Sequence, residues 1–438
     1  MPLLVVAVGI ALLFVLIAYV KLDGFLAFLL VSLGVGVAEG LDVGAVVAAI
    51  QRGIGDTLGG LVLILGLGAM LGKLVADSGA AQRITERLVA AFGRSRVQWA
   101  LVLTGFIVGI PMFYTVGFVV LIPIVYTVAA ATGLPLIYVG LPMLASLSVT
   151  HGYLPPHPAP TGIAILFGAD IGRTLLYGIA VAVPAIAVAG PLLTRVLADV
   201  PARPLSGFDA PARVPEAELP SPATSVLTAL LPVLLIGGAA LAAALAPAGS
   251  GLASAAAVVG DPVLAMLASV LVAIVTLGLR RGRTMAEVTA ALAEGLRGVT
   301  GVMLIIAGAG ALKAVLVEGG VSDYVGELLA DSTVSPLVLA WSIATAIRVC
   351  VGSATVAGLT AAGIAAPLVE TTGASPELMV LAVGSGSLML SHVNDGGFWL
   401  FKEYFGLTVS QTLRTWTVME MAVGVMGLLG VLGLSVVV

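Results

Sequence analysis

The sequence has few charged residues for its length. Charged side chains make up 10 % of the 438 residues, hydrophobic ones make up 60 %, and the mean hydropathy is +1.18. A soluble domain carries about 25 % charged residues because its surface faces water, so this composition excludes a soluble globular protein. The apolar runs reach the roughly 20 residues that span a bilayer. We therefore predict an all-α integral membrane protein rather than a barrel of alternating strands.

The sequence also lacks the motifs of several kinds of enzyme and pump. Its single cysteine, Cys350, excludes an intramolecular disulfide. It contains no G-x-x-x-x-G-K-[ST], so no ATP-driven motor is indicated. H-E-x-x-H and G-x-S-x-G are missing as well, which leaves an intramembrane enzyme as a remote alternative. We expect no cofactor, no bound metal and no nucleic-acid partner.

Basic residues are gathered in short loops. Lys21, residues 93–96, residues 280–283 and the 197–222 segment are predicted on one side of the membrane. The positive-inside rule assigns that side to the cytoplasm and places both termini outside. Residues 2–20 lack a basic start and a cleavage site, so we expect a retained first span rather than a signal peptide. Arginine far outnumbers lysine, and Ala, Gly and Val dominate, which favours a GC-rich bacterial source and hence the inner membrane.

An internal repeat organises the chain. Four pairs of segments match in the same order at an offset near 240 residues. They are 46–64 with 288–306, 73–88 with 313–328, 144–156 with 385–397, and 167–178 with 405–416. Each match alone is weak, but their common order and offset are not expected by chance. The repeat predicts two structurally related halves, residues 1–196 and 223–438, joined by a Pro-rich cytoplasmic linker, 197–222.

About ten transmembrane helices follow from the apolar runs. The predicted spans are 2–20, 24–40, 50–76, 134–168 and 172–196 in the first half, and 223–247, 262–279, 287–317, 376–405 and 411–437 in the second. Because five is an odd number, the second half enters the membrane inverted relative to the first. Inverted-topology repeats are typical of secondary transporters.

Two further apolar segments, 98–130 and 335–370, carry small and polar residues at their centres. A straight transmembrane helix would not carry helix-breaking residues at its centre, so we predict two re-entrant hairpins. Polar breaks also interrupt one span in each half, at 150–160 and at 391–397. Pro and Gly weaken these helices, and the backbone groups they release are free to face a ligand. Matching interruptions in the two halves indicate a binding site near the bilayer midplane.

The hairpin tips supply candidate substrate-binding residues. Tyr114 and Thr115 lie at the first tip, and Gly352, Ser353 and Thr355 lie at the second. Hydroxyl groups and backbone N–H groups at a helix N-terminus suit an anion that also carries hydroxyls. The tips therefore predict contacts with the carboxylate and hydroxyl groups of a small organic acid.

Four polar residues near the breaks are further substrate-binding candidates. They are His151, Arg348, His392 and Asn394. The guanidinium of Arg348 can pair with a carboxylate through its planar fork, or it can extend to lipid head groups. The histidines could instead satisfy nearby carbonyls, and Asn394 could cap the broken helix.

Two carboxylates are candidates for proton coupling. Asp395 and Glu420 lie within predicted spans, where a carboxylate costs about 2.5–3.5 kcal/mol on insertion scales. Asp395 would be only a helix cap if the break lay near the membrane surface. Lys73 and Lys313 match across the repeat near span ends, where we expect them to extend towards lipid head groups.

Residues 391–420, "SHVNDGGFWLFKEYFGLTVSQTLRTWTVME", resemble the signature of the gluconate permease family, and residues 352–364, "GSATVAGLTAAGI", resemble its second hairpin. The likeness extends over the whole chain. It implies a gluconate:proton symporter of the ion transporter superfamily, a homodimer, and a transport part that slides against a scaffold. Sodium-coupled members of that superfamily often carry Ser-Asn-Thr at both tips. The tips "GSAT" and "MFYT" here argue against assuming sodium sites.

The expected function is thus import of gluconate or a related sugar acid by proton symport, by an elevator-type mechanism. A sugar acid entering a negative-inside cell uphill needs coupling, and each net charge moved is worth about 2.3 kcal/mol per 100 mV. The alternatives are another organic acid, such as glycerate or a 2-keto sugar acid, sodium in place of protons, or a channel.

Overall fold

The computed structural model describes residues 2–205, 214–247, 250–320, 334–393 and 395–438, and all the regular structure in these ranges is helical. The helices of the first half are α1 (Pro2–Phe14), α2 (Gly24–Ala38), α3 (Val43–Asp77), α4 (Ala80–Phe92), α5 (Val97–Gly109), α6 (Tyr114–Thr132), α7 (Leu136–Tyr153), α8 (Pro158–Phe167) and α9 (Ile171–Leu197). Those of the second half are α10 (Pro222–Leu245), α11 (Gly251–Val259), α12 (Pro262–Arg281), α13 (Met285–Glu318), α14 (Pro336–Val351), α15 (Ala354–Thr372), α16 (Pro376–Gly386), α17 (Gly396–Tyr404) and α18 (Val409–Leu434). The predicted all-α membrane protein is confirmed.

Fewer helices than ten are long enough to cross a bilayer by themselves. In the described part of the chain, seven helices meet the length and hydropathy of a span, or eight with α3, which bends by 43° at its middle. The difference has a physical cause. Two predicted spans are each divided between two helices, α7 with α8 and α16 with α17, and α1 and α2 have only 13 and 15 residues. Conversely, α6 and α15, which belong to the predicted re-entrant hairpins, are among the seven.

The long helices α3 and α13 pack side by side in opposite directions. Arg52 pairs with Glu318 at one end, with 2.8 Å between Nη2 and Oε2, and Lys73 pairs with Glu294 towards the other, with 2.9 Å between Nζ and Oε1. Between these pairs Gly310 lies so close to α3 that an added Cβ would be 2.1 Å from Thr57 Oγ1. Small residues at such contacts let two membrane helices approach closely.

Both predicted helix interruptions fall where the chain leaves helical geometry. Residues 154–157 separate α7 from α8, and residues 387–395 separate α16 from α17. The second break therefore starts before 391 and ends sooner than expected. Helix α17 begins at Gly396 because the carboxylate of Asp395 caps it, accepting the N–H of Gly397 at 2.9 Å.

The two predicted hairpins differ in how their arms pack. In the second, α14 runs along α15, and the chain turns at Gly352, whose φ of +79° is a conformation that favours glycine. In the first, residues 110–113 join α5 to α6, but α5 packs mainly along α7. Both tips nevertheless reach one shared cavity, described below.

Sequence reasoning did not predict the amphipathic helix α4. The guanidinium of Arg83 on this helix donates to the carbonyls of Glu216 and Pro220, each at 3.1 Å, and so holds the end of the linker. Of the predicted linker 197–222, residues 206–213 lie outside the described part of the chain. The alternation of charged and apolar residues in "AAQRITERLVAAF" was the available signal for α4.

Candidate functional site

A cavity of about 860 Å³ lies where the hairpin tips and the interrupted helices meet α3 and α13. Nine of the residues singled out in the sequence line it: Tyr114, Thr115, His151, Arg348, Gly352, Ser353, Thr355, Asp395 and Glu420. His392 is not among the lining residues, and its Nε2 lies 3.0 Å from the carbonyl oxygen of Val349. Asn394 lies outside the described residues. The fold thus brings residues that are far apart in sequence to one place.

An ion pair stands at the centre of this cavity wall. Arg348 Nη2 lies 2.5 Å from Asp395 Oδ2, and the side chain of Arg348 is only 2 % exposed. Its two other donors, Nε and Nη1, are buried and have no hydrogen-bond partner in the described structure. A guanidinium binds a carboxylate best through two parallel N–H groups. Arg348 therefore has unused N–H groups for a substrate carboxylate, and a parallel pair would combine one of them with the second N–H of Nη2, which Asp395 shares.

Asp395 is held by several donors besides Arg348. The hydroxyl of Ser391 donates to Oδ2, and the N–H of Gly397 donates to Oδ1. The indole N–H of Trp416 in turn donates to Ser391 Oγ at 2.7 Å, which orients that hydroxyl. Sequence reasoning did not single out Ser391 or Trp416. The only indication in the sequence is that Ser391 lies close to Asp395 and Trp416 lies close to Glu420.

Glu420 has far fewer partners. It is 2 % exposed, and its Oε1 accepts the hydroxyl of Ser148 at 2.5 Å. Its other oxygen, Oε2, is buried without a hydrogen-bond partner in the described structure. Ser148 lies on α7, so the contact joins the interrupted helix of the first half to the last helix of the second. Sequence reasoning missed Ser148 because serine is common in membrane helices.

Aromatic and imidazole groups form another part of the wall. The ring of Tyr114 lies 6.0 Å from that of His151 and 5.9 Å from that of Trp416, measured between centroids. The Tyr114 hydroxyl and His151 Nδ1 are buried without partners in the described structure. His151 Nε2 lies 3.4 Å from Thr355 Oγ1, so it links α7 to the second hairpin. These groups offer further hydrogen bonds to a polyhydroxylated ligand.

The cavity reaches the end of the α3–α13 pair that lies near the basic 280–283 loop. Lys73, Asp77 and Glu294 line it there, and Lys73 Nζ is 3.0 Å from Asp77 Oδ1. Arg283 Nη2 lies 3.9 Å from the other oxygen of Asp77. Lys73 is therefore held by carboxylates at the mouth of the cavity and does not extend towards lipid head groups as expected.

Lys313 also differs from expectation. Its Nζ donates to the carbonyl oxygen of Leu166 at 2.5 Å, near the C-terminal end of α8. A helix C-terminus leaves carbonyl groups without helical partners, and an ammonium group satisfies them well. The two lysines that match across the repeat are thus both bound by protein groups, on oppositely directed helices.

No metal centre is evident in the described part of the chain, where no three His, Cys, Asp or Glu side chains are grouped so that they could hold an ion. The polar groups of the cavity offer an organic anion the unused donors of Arg348, with hydroxyl groups and ring nitrogens around them.

Comparison with known sequences decides the family. The profile described as the GntP family permease matches residues 1–438. This chain belongs to the GntP permease family. The high-affinity gluconate transporter and the Gnt-II system L-idonate transporter of Escherichia coli K12 are each 50 % identical to this permease, over 100 % of both chains. A gluconate permease of Bacillus subtilis is 45 % identical, again over the whole of both chains.

Solved structures with the same fold are also transporters. The Alcanivorax borkumensis YdaH transporter superposes with a TM-score of 0.64 at 18 % identity, covering 94 % of this permease and 97 % of that chain. Neisseria gonorrhoeae MtrF, whose structure illuminated a class of antimetabolite efflux pumps, gives 0.63 at 16 % identity, covering 94 % and 93 %. At these identities the likeness concerns the fold alone. The family model, the bacterial relatives and the long apolar helices together make this permease a bacterial multi-pass membrane transporter.

Proposed function

We propose that this permease imports gluconate or a closely related sugar acid together with protons, without chemical change to the acid. The observation that carries the proposal is the buried Arg348, whose Nε and Nη1 have no partner and which lines a cavity shared by both hairpin tips. A substrate carboxylate would pair with these donors. The full-length identity to gluconate transporters supports the same class of acid.

The size and polarity of the cavity are compatible with a small polyhydroxylated acid such as a hexonate. Its volume of about 860 Å³ lies within the range of about 300–1,000 Å³ of small-molecule sites. Ser353 and Thr355 stand at the start of the 19-residue helix α15, where N–H groups and the helix dipole favour an anion or a hydroxyl oxygen. Thr115 and Tyr114 supply hydroxyls from the other tip. A chain of hydroxyl groups would thus find partners on both sides.

The relatives leave the stereochemistry of the acid open. One relative at 50 % identity is named for gluconate and another at the same identity for L-idonate, which is the C5 epimer of gluconate. The proposal therefore extends to hexonates as a class. Glycerate and 2-keto sugar acids remain the alternatives, since they offer the same carboxylate with fewer or different hydroxyl groups.

Protons are the coupling ion that the cavity favours. Two carboxylates, Asp395 and Glu420, line it together with Arg348. A bound proton cancels the charge of an entering acid, so the acid can move against a negative-inside potential worth about 2.3 kcal/mol per 100 mV. Sodium coupling is the alternative, and the uptake assay below separates the two.

For alternating access we propose an elevator-type motion of two inverted halves, 1–196 and 223–438, joined by the linker 197–222. The close packing of α3 on α13 supports their role as a scaffold. The hairpins and broken helices would carry the substrate past it. The cavity reaches the end marked by the 280–283 loop, which the positive-inside rule places in the cytoplasm, with both termini outside. A homodimer in the inner membrane completes the proposal.

Uptake into proteoliposomes tests the proposed function. With an inward proton gradient and no sodium, labelled gluconate should accumulate above its outside concentration, and a protonophore should abolish the accumulation. Accumulation that requires sodium would identify sodium, rather than protons, as the coupling ion. Equilibration of the acid without accumulation would favour a channel. Competition by L-idonate, glycerate and a 2-keto sugar acid then ranks the substrates. No uptake of any of these acids would overturn the proposal.

A further inference from the structure

The two carboxylates of the cavity differ in their hydrogen-bond partners. Asp395 accepts from three donors, namely the guanidinium of Arg348, the hydroxyl of Ser391 and the backbone N–H of Gly397. Trp416 holds Ser391 in this arrangement because its N–H occupies the hydroxyl oxygen, leaving the hydroxyl hydrogen for Asp395. Hydrogen bonds donated to a carboxylate favour its ionised form, and a proton on Asp395 would compete with them.

Glu420 has the partners that a neutral carboxyl group needs. Its only partner in the described structure is the hydroxyl of Ser148, which can accept a hydrogen bond as readily as it donates one. The remaining oxygen has no donor, and the side chain is buried. Loss of water disfavours a charged carboxylate at such a place.

The charged and titratable groups around Glu420 come from several helices. Arg348 on α14 and Asp395 before α17 act on it with opposite sign. Tyr114 on α6 and Tyr153 on α7 also interact with its charge. Arg348 cannot stabilise the charges of Asp395 and Glu420 equally, because its Nη2 is already bound to Asp395. Glu420 is therefore the group that a proton can neutralise at least cost.

From these contacts we infer that Glu420 carries the coupled proton, whereas Asp395 stays ionised throughout as the counter-ion of Arg348. The inference rests on the proposed proton symport and assigns the role within it. One proton from the outer aqueous phase binds Glu420, and no covalent bond of the substrate changes. The substrate carboxylate binds the unused donors of Arg348 at the same time. Acid and proton together leave the net charge of the cavity unchanged, so neither enters favourably without the other.

Infrared spectroscopy of the purified permease tests this without any substrate. Acid-minus-alkaline difference spectra should show the C=O stretching band of a protonated carboxyl group in the wild type. The band should disappear in Glu420→Gln and persist in Asp395→Asn. The matched control is Glu403→Gln, since Glu403 is exposed and pairs only with Lys402 in the described structure. A band that survives in Glu420→Gln and disappears in Asp395→Asn would overturn the inference.

Transport separates the two residues in a second way. A pH difference of one unit can drive about tenfold accumulation for each coupled proton. Glu420→Gln should lose this accumulation, with the ratio of inside to outside substrate falling to about one, yet still exchange labelled for unlabelled acid. Asp395→Asn should lose exchange as well, because Arg348 loses its anchor. Glu420→Gln that still accumulates substrate in a pH gradient would contradict the inference.

Failure of the proposed function would look different. Wild-type permease that accumulates none of the acids tested refutes proton symport, whereas the infrared band still reports which carboxyl group binds the proton. An accumulating wild type whose infrared band is unaffected by Glu420→Gln refutes the inference alone. Circular dichroism and elution volume of each variant confirm that it remains folded.

Discussion

At the residue scale, Arg348 offers more hydrogen bonds than the protein itself uses. One of its nitrogens binds Asp395, and two buried donors stay unsatisfied in the described structure. A buried donor without a partner costs about 1–3 kcal/mol, or more when it is charged. A substrate carboxylate that accepts from these two donors would remove this cost. Satisfying them would therefore contribute to the free energy of binding.

The substitution Arg348→Lys keeps the positive charge at this position but removes the planar set of N–H groups of the guanidinium. Lysine presents its donors around a single nitrogen, so it cannot bind Asp395 and a substrate carboxylate through parallel N–H groups. We expect the substrate dissociation constant to rise about tenfold or more. A tenfold rise is about 1.4 kcal/mol, near the lower end of the about 1.5–3 kcal/mol that a hydrogen bond to a charged group contributes. Isothermal titration with gluconate measures it.

The matched control for that change is Arg414→Lys. Arg414 is exposed, pairs with Asp199 at 3.2 Å and is not among the residues that line the cavity. Surface ion pairs contribute little, so affinity should not change. Equal affinities of wild type and Arg348→Lys would place the substrate carboxylate elsewhere.

Much of the cavity wall was predictable from single residues. A carboxylate such as Asp395 in an apolar span is costly, and a hydroxyl at a hairpin tip is unusual, so each of them stood out in the sequence. Ser148 and Trp416 did not stand out, because both residue types occur throughout membrane helices for ordinary packing. Only the folded chain shows that they bind the two carboxylates. His392 stood out but has its ring against Val349, since it lies in the turn before α17.

At the element scale, two features of the sequence determine how the helices are arranged, namely helix breaks and glycines at helix contacts. The break between α16 and α17 brings Asp395 and Gly396 to the cavity, whereas residues 154–157 between α7 and α8 do not line it. Glycines in α3 and α13 let those two helices approach closely. Sequence patterns located both breaks to within a few residues. They could not give the limits, because side-chain caps such as that of Asp395 decide where a helix starts. Helix α4 was missed because its charged residues kept it out of the apolar runs from which the spans were predicted.

Gly310→Ala tests the contact between the long helices. A methyl group there would lie 2.1 Å from Thr57 Oγ1 and 2.7 Å from the carbonyl oxygen of Gly53, so α3 and α13 must separate. We expect a loss of about 1–3 kcal/mol in stability, typical of overpacking. The melting temperature in detergent, followed by circular dichroism, reports it.

Gly301→Ala on the same helix is the control. Nothing lies within 4 Å of its added Cβ, and alanine favours a helix over glycine by about 1 kcal/mol. Its melting temperature should stay the same or rise. Similar behaviour of the two variants would show that the close approach at Gly310 does not matter for stability.

At the scale of the whole molecule, the two repeat-related lysines lie on oppositely directed helices and have different partners. Lys73 is bound by carboxylates at the open mouth of the cavity, whereas Lys313 holds the end of α8 to α13. The Lys313 contact links the scaffold to a broken helix of the proposed moving part. It therefore stabilises the conformation described here relative to any in which that helix has shifted.

Lys313→Met removes this link and should populate the other conformation. A hydrogen bond from a charged group contributes about 1.5–3 kcal/mol, so the equilibrium should change by about tenfold or more. A cysteine placed at Val302, which lines the cavity, reports the change in a Cys350→Ala background. Its rate of reaction with a polar maleimide should fall. Lys402→Met, on the exposed face of α17, is the control, and an unchanged rate in Lys313→Met would refute the link.

The position of Lys73 and Glu294 at one end of the cavity has a pharmacological consequence in the proposed elevator mechanism. An analogue that presents a hexonate head on a bulky tail would seat its carboxylate at Arg348 while the tail protrudes past Lys73 and Glu294. Such a compound would inhibit transport only when it is added to the compartment that this end of the cavity faces. Added to the opposite side, it would have no effect. Because inhibition would depend on the side of addition, a membrane-impermeant analogue would report the orientation of the permease in the bilayer.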